Sequence, residues 1–285
     1  MKQAAFTRQG KRLSGLFRHM LLIGGAIIML YPLLWMLASS FKPTSMILSD
    51  ISLWPRALTL DNYMNGWNAL EYPFGTFFWN SLIVCVGAVI GNVISCSMAA
   101  FVLARLRFKG RKLWFALMLC TIMLPYHVLV VPQYVLFQKL GWVNTFLPLI
   151  VPKFFATDAF FIFLLMQFIR TIPRELDAAA RIDGCSYFQL YLRIILPLAV
   201  PALATTAIFT FIWTWSDFFS QLIYLNDQAS YTVSVALRSF LDSSGSSDFG
   251  ALFAMSLLSL LPIFGFFLIF QRMLINGIAT SGLKG

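Results

Sequence analysis

Four stretches of this chain, 20–41, 72–104, 113–138 and 249–271, contain no Asp, Glu, Lys or Arg. Each is at or above the roughly 20 residues that a helix needs to cross about 30 Å of hydrocarbon. Two further apolar stretches, 146–169 and 197–225, are long enough but enclose Lys153, Asp158 and Asp217. Such charges are costly in lipid and must face protein or water. The expected fold class is therefore all-α: a polytopic membrane protein, one transmembrane domain over 1–285, with spans at approximately 20–41, 76–104, 113–135, 146–169, 197–225 and 249–271. With 59% hydrophobic and 11% charged residues, against roughly 45–50% and 25% in a soluble domain, the chain cannot make a water-soluble surface.

The first of these runs, Met20 to Phe41, exceeds the roughly 7–15 residues of a signal-peptide core, so it reads as a retained helix. The net charge of +10 is not a nucleic-acid signature, because the basic residues cluster beside the apolar blocks. With the N-terminus in the cytoplasm, 16 of 21 Lys and Arg fall on the inside and five outside: Lys42, Arg56, Lys139, Lys153 and Arg238. This satisfies the positive-inside rule and predicts that both termini are cytoplasmic. The outside segments are then 42–71, a loop near 139–145, and 226–248 with its Ser/Gly run Ser243–Ser247. Cys85, Cys96, Cys120 and Cys185 form no CxxC pair and have no His at ligand spacing. Neither a metal site nor a disulfide framework is expected, and three of the four should pack inside helices.

The anomaly is a long polar insert after the fourth span, IPRELDAAARIDGCSYFQLYLRIILP from Ile172 to Pro197. Pro173 suits a helix start, and Glu175 and Asp177 in the first turn suit its positive end. Leu176, Ala179, Ala180 and Ile182 are expected to form a mild apolar face. Gly184 can take positive φ and end the helix, and Tyr187 begins another. On physics alone this is either a hairpin lying on lipid headgroups or a knob that docks into another protein.

The insert resembles the EAA coupling motif of bacterial ABC importer permeases, whose carbohydrate branch reads roughly IPxELxEAAxIDGAS with a downstream LP. The matching residues are Ile172, Pro173, Glu175, Leu176, Ala179, Ala180, Ile182, Asp183, Gly184, Ser186, Leu196 and Pro197. Ala178 stands where the family has Glu, and Cys185 where Ala is common. Asp177 offers a carboxylate one position away, about 100° round the helix. Met123–Pro152 and Phe209–Leu225 are similar to the maltose-type subunit, with Ser216 in place of its usual Asn, and QRMLINGIATSGLKG is similar to its C-terminal tail.

The resemblance implies a type I ABC importer permease fold in a bacterial inner membrane. It also implies a cytoplasmic coupling loop over 171–196, with Glu175, Leu176, Asp177, Ala179, Ala180, Asp183 and Gly184 as coupling residues, and a cytoplasmic tail over 276–285. The implied partners are a second related permease, two ATP-binding subunits, a solute-binding protein and a sugar. ATP and Mg would be bound by those partners, since no GxxxxGK[ST] occurs here. The chain itself would then be non-catalytic, and no HExxH helix suggests otherwise. An ion-coupled carrier or channel working alone is the alternative, motivated by Lys153, Asp158 and Asp217.

Within the spans, Lys153 and Asp158 are five positions apart, which on one helix puts them about 140° apart, so they are expected to have different partners. Lys153 either snorkels to the outer interface or lines a cavity that attracts an acidic sugar. Trp213, Trp215 and Asp217 combine aromatic faces with a carboxylate, as a sugar site does, though an interfacial aromatic belt also accounts for the tryptophans. His127 reads as a helix-packing residue, and Gln133, Asn92 and Gln167 can bond either neighbouring helices or substrate.

Overall fold

A computed structural model of the chain describes residues 2–241 and 248–282, with side chains for 18–241 and 248–273. Ser243–Ser247 and the last three residues of the tail lie outside the described residues. The regular elements among them are all helical. Four segments are long and apolar enough to span: Arg18–Ser40, Phe74–Arg105, Leu147–Thr171 and Phe249–Met273. Two bent pairs, Arg111–Ile122 with Tyr126–Lys139 and Tyr187–Leu198 with Val200–Ser216, bring the total to six if each pair is one span. We call these spans 1 to 6 in chain order.

The chain divides into two compact units, 1–70 with 240–258 and 71–239 with 259–285. In the first, span 1 ends where Lys42 turns inward. Lys42 is 1% exposed, and its Nζ donates to the carbonyls of Asp50 and Ser52, both at 2.6 Å. Asn62 Nδ2 donates to the carbonyls of Ser40 and Lys42 at 2.7 Å. Lys42 is thus a buried strut of its segment, satisfied by backbone oxygens that would otherwise be orphaned.

The second unit is built around span 2. Its small residues decide what it packs against: a Cβ on Gly87 would come within 2.9 Å of Ile150, and one on Gly91 within 2.9 Å of Lys153 Cβ. Two glycines one turn apart let span 4 lie directly on the backbone of span 2, the close approach typical of membrane helices. Ser95, one turn further, donates to Lys153 O at 2.6 Å. Towards the Arg105 end, Phe101, Ala104, Leu165, Met166 and Ile169 pack with Ala180, Leu190 and Ile195. That cluster anchors the insert to spans 2 and 4.

Three of the expected spans are not continuous rods. The one expected at 113–135 bends by 99° between Ile122 and Tyr126. Pro125 denies the α conformation to the residue before it and itself sits at φ −61, ψ 127. The one expected at 146–169 passes through a 3-10 turn, Val151–Phe155, then a left-handed Ala156 at φ 54. A new helix then starts at Ala159. The one expected at 197–225 ends at Ser216, with Asp217 extended at ψ 112 before a separate helix Phe219–Tyr224. Its entry also bends by 77° near Ala199. Cys85 and Cys96 are buried as expected, but Cys120 is exposed, so two cysteines and not three pack in the interior.

Candidate functional site

The three breaks converge. A cavity of about 640 Å³ is lined by Tyr126, His127 and Gln133 from span 3, Pro152, Lys153, Thr157 and Asp158 from span 4, and Trp213, Ser216, Asp217 and Phe219 from span 5 and its continuation. Backbone that leaves the helix inside a membrane protein is tolerated where it lines a cavity, because its free N–H and C=O groups need polar surroundings.

Lys153 and Asp158 do share a partner, namely each other: Nζ lies 2.8 Å from Oδ2. The expectation of separate partners assumed one continuous helix. The left-handed Ala156 and the non-helical Asp158, at φ −88 and ψ 83, bring the side chains together instead. The same Oδ2 accepts from Asn92 Nδ2 at 2.5 Å, and Asn92 also donates to Thr210 Oγ1 at 3.2 Å. Both members of the pair are 28% exposed, so they face the cavity without being sealed from it.

The tryptophans separate. Trp213 is 51% exposed and its ring sits 5.2–5.4 Å from those of Phe160 and Phe161 at the cavity wall. Trp215 is 4% exposed, stacks on Phe211 at 5.6 Å and donates Nε1–H to Ser259 O at 3.1 Å. It is a packing residue and not part of the cavity. Asp217 Oδ1 accepts from Ser220 N at 3.1 Å, which starts the short helix after the break.

Gln221, with 2% exposure, is the hidden support of this wall. Its Nε2 donates to Thr214 O at 2.7 Å, while its Oε1 accepts from Thr232 Oγ1 and from Ser234 Oγ. Ser234 Oγ also reaches Asp217 O at 3.0 Å. Nothing in the sequence alone singled out Gln221; its signal is an amide set among apolar residues where a span is expected. His127, expected to pack helices, lines the cavity, as does Gln133, for which substrate contact was one of two readings. The His127 ring lies 4.9 Å from that of Phe219.

The insert forms a second surface. Helix Glu175–Ile182, here termed the loop helix, ends in a Schellman arrangement in which Cys185 N donates to Ala180 O at 2.9 Å and Gly184 N to Arg181 O at 3.1 Å. Gly184 has φ 80, the conformation expected of it. Ser186 then caps the next helix in a capping box with Gln189.

The apolar residues of the loop helix do not make one face. Ala180 is buried in the core, whereas Leu176 and Ala179 point outward and Ile182 is 87% exposed. Glu175, Asp183 and Gly184 are exposed too. Asp177 turns the other way, with Oδ2 3.4 Å from Nη1 of Arg105, and so does not replace the carboxylate missing at Ala178. Leu176, Ile182 and Phe188 are thus exposed apolar residues of the insert, in a segment that also exposes Glu175 and Asp183.

Comparison with known proteins agrees with the fold. The family described as binding-protein-dependent transport system inner membrane component matches residues 91–279. The arabinooligosaccharides transport system permease protein of Halalkalibacterium halodurans is 35% identical over 263 residues, covering 91% of this chain and 93% of that protein. The trehalose/maltose transport system permease protein of Thermococcus litoralis is 33% identical over 272 residues, covering 94% and 98%. Among solved structures, the crystal structure of a bacterial ABC transporter involved in the import of the acidic polysaccharide alginate matches with a TM-score of 0.80 at 21% identity, over 92% of this chain and 96% of that one. A multi-pass helical chain with a protruding loop after its fourth span, matched by a family model over most of its length and by sugar permeases over nearly all of it, belongs to the binding-protein-dependent inner-membrane components as a carbohydrate ABC transporter permease.

Proposed function

We propose that this chain forms half of the translocation pathway of a saccharide importer and is itself non-catalytic. The cargo passes the cavity between spans 3, 4 and 5, and the loop over 171–196 takes the force of two ATP-binding subunits, which hold the ATP and Mg. A second, related permease completes the pathway and a solute-binding protein delivers the sugar. Both termini face the cytoplasm, as the distribution of basic residues requires.

The observation that carries this reading is the lining of the cavity. Trp213 and Phe219 supply ring faces, and Gln133, Thr157 and Ser216 supply hydroxyl and amide partners, the mixture that a sugar ring with one apolar face and many hydroxyls needs.

The cargo we propose is an uncharged saccharide. A lone Lys153 would favour an acidic sugar, but its charge is taken up by Asp158, and Asp217 adds a further carboxylate to the lining. Among the Asp, Glu, Lys and Arg residues of the lining, two carboxylates stand against one ammonium, an excess that disfavours an anionic sugar. The alginate importer carries an acidic polysaccharide in the same fold, and at 21% identity that likeness speaks for the fold alone.

Reconstitution of the complex in proteoliposomes tests this. Neutral oligosaccharides presented with the binding protein should stimulate ATP turnover and accumulate, and Trp213→Ala should reduce uptake about tenfold while basal ATP turnover stays intact, in line with loss of about 1–1.5 kcal/mol of ring contact. Preferential uptake of a uronic-acid oligomer, or wild-type uptake by Trp213→Ala, would overturn it.

A further inference from the structure

We propose that Arg105 is a positioning residue that locks the loop helix to spans 2 and 4, so that displacement of the loop reaches the cavity through it. The inference rests on the reading above that the loop receives the ATP-binding subunits.

Arg105 is the last residue of span 2, and its side chain is 2% exposed. Nη2 donates to Ile169 O at 2.9 Å, which also accepts the capping N–H of Ile172 at 3.2 Å, and to Ile172 O at 2.8 Å, just past the end of span 4, where carbonyls attract a cation. Nη1 faces Asp177 on the first turn of the loop helix. One rigid guanidinium therefore joins three elements, which a lysine with a single nitrogen cannot do in the same geometry.

The far ends of the same two rods are tied as well. Asn92 of span 2 donates to Asp158, the residue at which the helical part of span 4 begins. Asn92 to Arg105 and Asp158 to Ile172 each measure about 20 Å along the axis by helical rise. Spans 2 and 4 thus form a two-bar frame, with a polar clamp at the cavity and a second clamp at the loop. A push on the loop helix that keeps the Arg105 clamp closed has to move the cavity clamp too.

The pair is also incompletely made. Arg105 Nε and Asp177 Oδ1 are both buried without a hydrogen-bond partner, a donor and an acceptor in the same ion pair. At 3.4 Å the existing contact is longer than a charge-assisted hydrogen bond. A small shift of the loop helix towards span 2 would shorten the Nη1–Oδ2 contact to a charge-assisted hydrogen bond, while Nη2 stays on its two carbonyls.

The test compares Arg105→Lys, Asp177→Asn and Asp177→Glu in the complete reconstituted complex with the ATP-binding subunits. Arg105→Lys and Asp177→Asn are expected to assemble and hydrolyse ATP at near wild-type rates while sugar moved per ATP falls at least fivefold. Asp177→Glu, which keeps the carboxylate, is expected to recover at least half of the coupling. Wild-type coupling in Arg105→Lys and Asp177→Asn would overturn the proposal. So would loss of the ATP-binding subunits on purification, which would give the pair a purely structural role. Ile182→Asp, an exposed change with the pair intact, separates the underlying reading. It should release the ATP-binding subunits, and retention of them would remove the docking role of the loop and this proposal with it.

Discussion

Two carboxylates, Asp158 and Asp177, face cations five and seventy-two positions away, and both do so because the backbone beside them is not in the middle of a helix. Lys153→Met leaves Asp158 with Asn92 as its remaining partner, on a site too dry to solvate it fully. The variant should lose about 1–2 kcal/mol, less than the cost of breaking a fully buried pair because the site is open to the cavity. A lowered thermal midpoint that Lys153→Met with Asp158→Asn restores would bear this out; a drop unchanged by the second substitution would not. Gly184 poses a backbone problem instead. At φ 80 a β-branched side chain is strained even though nothing stands within 4 Å of its Cβ position. Gly184→Val is expected to cost about 1–3 kcal/mol locally, to misdirect the Schellman turn, and to abolish co-purification of the ATP-binding subunits. Normal assembly and transport by that variant would show that the turn is dispensable.

At the scale of elements, the contact between spans 2 and 4 depends on the absence of side chains at Gly87 and Gly91. Gly91→Leu would drive a branched chain into Lys153 and Phe154, so the expected outcome is overpacking by about 1–3 kcal/mol and a loss of the cavity clamp, read as reduced thermal stability and sugar uptake. The spans themselves were legible in the sequence because charge-free runs longer than about 20 residues have few alternatives in lipid. The loop was legible too: Pro173, the acids of its first turn and Gly184 each specify a local conformation. The breaks were not. Pro125 signalled one of them, but Ala156 with positive φ and the extended Asp217 follow from tertiary contacts, namely Ser95 on Lys153 O and Ser234 on Asp217 O, which no local pattern encodes. The Lys153–Asp158 pair and the role of Gln221 were invisible for the same reason, and the inward turn of Asp177 required knowing that Arg105 lies beneath it.

For the molecule as a whole, the proposed function has the chain take its energy through surfaces, and the loop is the first of them. The tail is the other surface suggested by sequence; the backbone of the last helix continues helical through Gly282. Deleting 278–285 is expected to lower sugar moved per ATP by a factor of about two to five, equivalent to roughly 0.4–1 kcal/mol of coupling, without loss of assembly; unchanged coupling in the reconstituted complex would show the tail to be idle. The Lys153–Asp158 pair has a different kind of consequence, one that concerns how the protein is made. Each charge alone would add about 2.5–3.5 kcal/mol to the entry of a helix centre into the bilayer. Because the partners are five residues apart, they can meet as soon as their own segment emerges, before span 5 has been synthesised. The two charges in the middle of the fourth span can thus offset each other as it enters the membrane, and biogenesis need not wait for span 5 to supply the counter-ion.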